Sequence, residues 1–151
     1  MDKAQDKIWF HKSTTIDCKI ENINNSLDNL GEHYKKLMSV YPGMTTVELI
    51  EQGKDYVIIK TNEGLMKRTN ISVLLSEDKT IVDFDEEYIT SKLTTNSHFV
   101  ERFDPKNDKT EANIKISNLV APGFLGFLLR NFGGKSIGQS FLNSYKKVFE
   151  E

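Results

Sequence analysis

The sequence predicts an α+β fold: one strand, a helical segment, six further strands in an antiparallel meander, and a long C-terminal helix. Three observations predict it. Apolar residues alternate with a period of two from Ile8 to Ile20, and their spacing changes to three or four between Leu27 and Tyr41. Alternation returns after Pro42-Gly43 and persists to Asn118. An amphipathic helical pattern then fills Ala121 to Glu151.

The first strand is β-branched and aromatic, with Thr14, Ile16, Cys18 and Ile20 on one face. The helical segment carries Leu27, Leu30, Tyr34, Leu37, Met38 and Tyr41 on one side. Asn25 or Ser26 is placed to cap it and Pro42-Gly43 to stop it. It reads as one helix, or as two short ones broken near Gly31. Polar turns at Gln52–Asp55, Thr61–Gly64, Ser76–Lys79, Ser91–Thr95 and Asp104–Asp108 then divide the alternating stretch. The strands between them lie near Thr45–Glu51, Tyr56–Lys60, Leu65–Leu75, Thr80–Thr90, Asn96–Phe103 and Lys109–Asn118. No link has room for a crossover helix, so the sheet is an antiparallel meander.

Pro122 stands where a helix tolerates a missing N–H. Phe124, Phe127, Leu128, Ile137, Phe141, Tyr145 and Val148 form the apolar face of the last helix, and Gly133-Gly134 marks a kink or a late start. With 151 residues, no repeat and 3 prolines, the chain reads as a single domain over 1–151.

Lys and Arg number 20 against 22 Asp and Glu, for a net charge of −2 without clustering. That balance offers no footprint for nucleic acid or an anionic membrane. Cys18 is the single cysteine, which excludes an intrachain disulfide and fits a reducing compartment. The opening residues lack a signal-peptide core, and the longest apolar run, Val120–Leu129, is interrupted by Pro122, Gly123 and Gly126. The chain is expected to be cytoplasmic and without an integral membrane segment.

The segment Asn118-Leu-Val-Ala-Pro-Gly-Phe-Leu-Gly-Phe-Leu-Leu, 118–129, resembles the junction through which START-like (SRPBCC) proteins of bacteria pass from their last strand into the closing helix. The long first strand followed by 22–41 is similar to the opening of that superfamily, which includes polyketide cyclases, aromatases and lipid-transfer domains. Many members carry a tryptophan in the early helical region, whereas Trp9 stands on the first strand here. The resemblance implies a helix-grip fold: a curved antiparallel seven-stranded sheet wrapped on the C-terminal helix, with a cavity between them for a lipid, sterol or polyketide-like ligand.

Strand parity and helix position then nominate the ligand-binding residues. They are Tyr56, Ile58, Ile71, Val73, Phe84, Tyr88, Phe99, Ile114, Phe127, Gly134, Gly138, Phe141 and Tyr145. Gly126, Gly134 and Gly138 are expected to leave open space by omitting side chains.

Among polar residues, Asp83, Asp85 and Glu87 fall on the outer face, while Glu86 shares parity with Phe84 and Tyr88. Glu51 and Glu101 share parity with apolar neighbours in the same way. Glu86, Glu101 and Tyr145 are the candidate acid or base groups, because a carboxylate beside a dry cavity has a raised pKa. His11, His33 and His98 have no ligand spacing, so neither a metal nor another cofactor is expected, and no nucleophile elbow or phosphate loop is present. The residues favour a module that binds or transports a hydrophobic small molecule, as monomer or homodimer. A cyclase or aromatase-type enzyme and a protein-interaction adaptor are the alternatives.

Overall fold

The computed structural model describes residues 7–76 and 78–150. The opening six residues, Glu77 of the predicted Ser76–Lys79 turn and Glu151 at the end of the predicted helix lie outside the described residues. Strand β1 (Ile8–Ile16) leads into helices α1 (Ile20–Ser26) and α2 (Leu30–Ser39). Then follow β2 (Val47–Gln52), β3 (Val57–Thr61), β4 (Gly64–Leu75), β5 (Thr80–Thr90), β6 (Thr94–Lys106) and β7 (Lys109–Val120). The chain closes with α3 (Gly123–Leu128), a π-helical turn (Leu129–Gly133) and α4 (Gly134–Phe149).

The sheet runs in the order β1-β7-β6-β5-β4-β3-β2, every neighbour antiparallel. The meander is as the turns predict, and β1 returns beside β7. One face of the sheet carries Phe10, Val57, Ile59, Met66, Val82, Phe84, Phe99, Phe103, Ile114 and Ile116, all buried. Ile23, Leu27, Tyr34, Leu37 and Met38 of the first two helices and Leu142 and Tyr145 of α4 complete the core.

Four local readings are corrected. The first strand stops at Ile16, because the Cys18 N–H turns back to the Ile16 carbonyl and the Thr110 hydroxyl donates to the Cys18 carbonyl. Ile20 therefore opens α1. The helical segment is two helices, and the cap of the second is Asn29, whose Oδ1 accepts from Glu32 N at 3.2 Å; neither Asn25 nor Ser26 caps it. On β3 the buried residues are Val57 and Ile59, so Tyr56 and Ile58 belong to the opposite parity. A bulge in β4 between Thr69 and Ser72, with Asn70 at φ 54°, lets both Arg68 and Ile71 point inward.

At the double glycine the helix changes type: the π-helical turn ends at Gly133 and α4 begins at Gly134. The π-helical turn that precedes it releases carbonyls from the regular ladder. Trp9 Nε1 donates to the Arg130 carbonyl at 3.0 Å, and Asn131 Nδ2 donates to the Phe127 carbonyl at 2.8 Å. The helix glycines admit neighbours instead of leaving space. A Cβ on Gly138 would lie 2.2 Å from the Phe10 ring, one on Gly134 3.0 Å from the Trp9 indole, and one on Gly126 1.9 Å from the Ala121 carbonyl oxygen.

The Gly138→Ala variant should therefore lose stability although alanine is the better helix former by about 1 kcal/mol. Forcing the Phe10 ring aside should cost more than that gain, for a net loss of about 1–3 kcal/mol in urea unfolding.

Candidate functional site

The site is built around a buried cation. Arg68 on β4 is 2% exposed, and its Cζ lies 4.6, 4.5, 5.0 and 5.4 Å from the ring centres of Tyr34, Phe84, Phe99 and Phe141. Aromatic faces attract a desolvated guanidinium, and a carboxylate neutralises it. Glu86, directly opposite on β5, supplies that charge: Arg68 Nε donates to Glu86 Oε2 at 2.9 Å. Nη2 also lies 2.8 Å from Oε2, but off the line that would make a second hydrogen bond.

Behind this pair lies a buried polar chain. Glu101 Oε1 accepts from the hydroxyls of Tyr34 and Tyr145, both at 2.8 Å. His33 Nε2 lies 3.1 Å from the Tyr145 oxygen and Nδ1 lies 2.8 Å from Ser26 Oγ. Because the Tyr145 hydroxyl donates to Glu101, His33 donates from Nε2 and accepts at Nδ1. Burial holds the His33 pKa down at about 3, assisted by the charges of Lys36 and Arg68, so the ring is neutral. Burial pushes the Glu101 carboxyl up, while Arg68 and the two tyrosines pull it the other way. The chain fastens α2 and α4 to β6.

In front of Phe99 and Phe141 is a half-open cavity of about 290 Å³. Trp9, Met38, Met44, Ile116, Leu119, Leu129 and Ile137 make its apolar wall, and Tyr41, Tyr88, Thr90, Thr95 and Ser97 add hydroxyls. Tyr88 is tied to Thr61 Oγ1 at 2.8 Å. Burial, with the charge of Glu86, pushes Tyr41 up to about 12, so it stays protonated. The lining charges are Glu86 and, on the exposed side, Glu63.

Of the nominated ligand residues, the cavity gathers Tyr88, Phe99 and Phe141. Phe84 and Ile114 are sealed in the core, as is Ile71, and Val73 is 37% exposed. Tyr56 is engaged with Glu51, and Ile58 is only half-buried on the other parity. Gly134 and Gly138 are occupied by Trp9 and Phe10, and Tyr145 belongs to the polar chain. Phe127 is 49% exposed and shares an apolar ridge with Phe124, Leu125, Leu128 and Phe132. The ridge contains α3, which is bracketed by the lining residues Leu119 and Leu129. Of the candidate acid and base groups, Glu86 reaches the cavity, whereas Glu101 and Tyr145 are spent on each other.

On the convex face His98 lies between Asp85, 2.8 Å from Nδ1, and Asp83, 3.1 Å from Nε2. Burial opposes its charge, yet the two carboxylates raise its pKa. Among the described residues no cluster of His, Cys, Asp and Glu suits a metal, and no helix is long and apolar enough to cross a membrane.

No protein-family model matches the sequence, and no curated protein matches it. Solved structures do match. A START superfamily protein of Mycobacterium smegmatis superposes with a TM-score of 0.60 over 95% of this chain and 97% of its own, at 10% identity. The fold is START-like. A STAR-related lipid transfer protein from Xanthomonas axonopodis gives a TM-score of 0.56 at 8% identity, covering 93% of this chain and 85% of that one. Norcoclaurine synthase from Thalictrum flavum gives 0.59 at 14% identity, covering 95% and 86%. START-like architecture thus accounts for the curved sheet and the gripped helix.

Two outcomes follow from the buried polar groups. Arg68→Met leaves the Glu86 charge buried and unpaired, so it should cost about 3–5 kcal/mol. Adding Glu86→Leu should recover most of that loss, measured as a coupling energy in a double-mutant cycle. His33 is a base with a depressed folded pKa, so its contribution is present above the unfolded value of 6.5 and is lost as pH falls toward about 3. Within that window it should remove up to about 1.4 kcal/mol per pH unit. His33→Gln should flatten the pH profile of unfolding free energy against wild type, a comparison that leaves the opposite contribution of Glu101 in both proteins.

Proposed function

We propose that this protein binds and carries a hydrophobic small molecule in the cavity between the sheet and α4. The observation that carries the reading is the apolar, half-open space of about 290 Å³ in front of Phe99 and Phe141. It is near the lower end of the usual range for ligand pockets. A compact lipid or polyketide-like molecule fits that volume, as does one end of a longer one. The similar Xanthomonas structure is that of a STAR-related lipid transfer protein, which supports the same reading.

Holding is favoured over transforming by the polar groups. A cyclase or aromatase-type reaction would rest on Glu86 alone, since Glu101 and Tyr145 are hydrogen-bonded to each other behind the wall. The apolar ridge around α3 is the feature an adaptor would use, but it leaves the cavity without a role.

Medium-chain alcohols and small aromatic polyketides should raise the apparent Tm, because a ligand of the native state stabilises it by mass action. At about 100 times Kd the gain is ~2.7 kcal/mol, or roughly 5–10 °C for a domain of this size. Ile137→Trp fills the cavity from α4. It should retain the ligand-free melting transition and lose the ligand-induced shift; a shift that survives the filled cavity would place binding elsewhere.

A further inference from the structure

We infer that the ligand is an apolar molecule whose polar end donates a hydrogen bond, a hydroxyl or an amine, and that the cavity rejects carboxylates. The inference rests on the proposed ligand cavity and deepens it by naming the head group.

Glu86 is the reason. Arg68 holds Oε2 from behind, and no described residue gives Oε1 a hydrogen bond. Oε1 is nevertheless absent from the sealed, unpaired polar atoms, although Glu86 as a whole is only 8% exposed. The free oxygen is therefore reached from outside. Glu86 borders both the cavity and a polar groove on the convex face beside Asp85, Glu87 and His98, but its side chain turns inward to the buried Arg68, which is the cavity side of the sheet. An ionised carboxylate accepts and cannot donate.

The lining lacks a compensating cation. It contains Glu86 and Glu63 but no Lys, Arg or His. The nearest positive charge, Arg68, is committed to Glu86 and enclosed by four aromatic rings. A carboxylate ligand would bring a second negative charge against Glu86 in a poorly solvated space, where like charges repel strongly. A hydroxyl or ammonium instead makes a charge-assisted hydrogen bond to the vacant lone pairs of Oε1. An ester can accept from Ser97 or Thr95 but leaves Oε1 unmet.

A matched set of probes tests this on the wild-type chain: 1-decanol, decylamine, methyl decanoate and decanoate, at about pH 8 where the acid is ionised. Dissociation constants come from titration calorimetry, and each probe is repeated on Ile137→Trp to confirm that it occupies the cavity. The alcohol and the amine should bind at least about tenfold tighter than the ester and the acid, the ratio expected of one hydrogen bond to a charged group. Equal or tighter binding of decanoate overturns the inference while leaving the cavity reading intact. Failure of all four probes overturns the cavity reading and the inference with it. Glu86→Gln should shrink the alcohol-to-acid ratio toward unity. If that variant unfolds for want of a partner to Arg68, the wild-type series decides alone.

Discussion

A guanidinium taken out of water must be met on every side, and the rest of this structure is arranged around that requirement. Arg68 lies on β4, its carboxylate partner on β5, and its aromatic surroundings come from α2, β5, β6 and α4. One charge thus fixes how two helices approach the sheet. The net stability from such a pair is small because desolvation offsets attraction, so its effect is chiefly on placement. Phe99 and Phe141 face the cation and also form cavity wall, and the shape of the ligand space follows from the demands of the charge behind it.

The polar groups of the interior are divided into two sets. Ser26, His33, Tyr145, Glu101 and Tyr34 form a continuous buried chain in which Glu101 Oε1 accepts from two tyrosines, and a network of this kind rigidifies what it joins. Glu86 belongs to the other set, anchored at one oxygen and open at the second. A carboxylate that is oriented, open and beside the cavity can select among ligands, which Glu101, buried and outside the cavity lining, cannot.

Much of the architecture was legible in the chain because periodicity reports burial directly. Val82, Phe84, Glu86 and Tyr88 alternate as β5 requires, and Phe99, Glu101 and Phe103 do the same on β6. Parity failed where the ladder slips. The β4 bulge turns Arg68 inward although simple alternation from Ile71 and Val73 sends it out, and the only hint is Asn70, a residue suited to positive φ. On β3 a uniformly apolar run, Val57-Ile58-Ile59, has no internal mark of which face is which. The cavity was less legible. Its wall draws on Trp9, Tyr41, Leu119 and Leu129 from four separate parts of the chain, and no local pattern brings these together. The helix glycines misled for a related reason: a missing side chain looks the same in sequence whether the room is left vacant or taken by Phe10.

The placement of β1 has a consequence for how the chain reaches this state. The first strand pairs only with the last, and its His11 bonds to Asn113 across 102 positions of sequence. Its aromatic pair, Trp9 and Phe10, waits longer still, for Gly134 and Gly138 of α4. During synthesis β1 therefore emerges well before β7 and α4, the elements it packs against. Contacts so distant in sequence make for slow folding and leave strand edges open to other chains in the interval. Docking of β1 on β7 and seating of α4 then become one late event that joins the first and last elements of the fold.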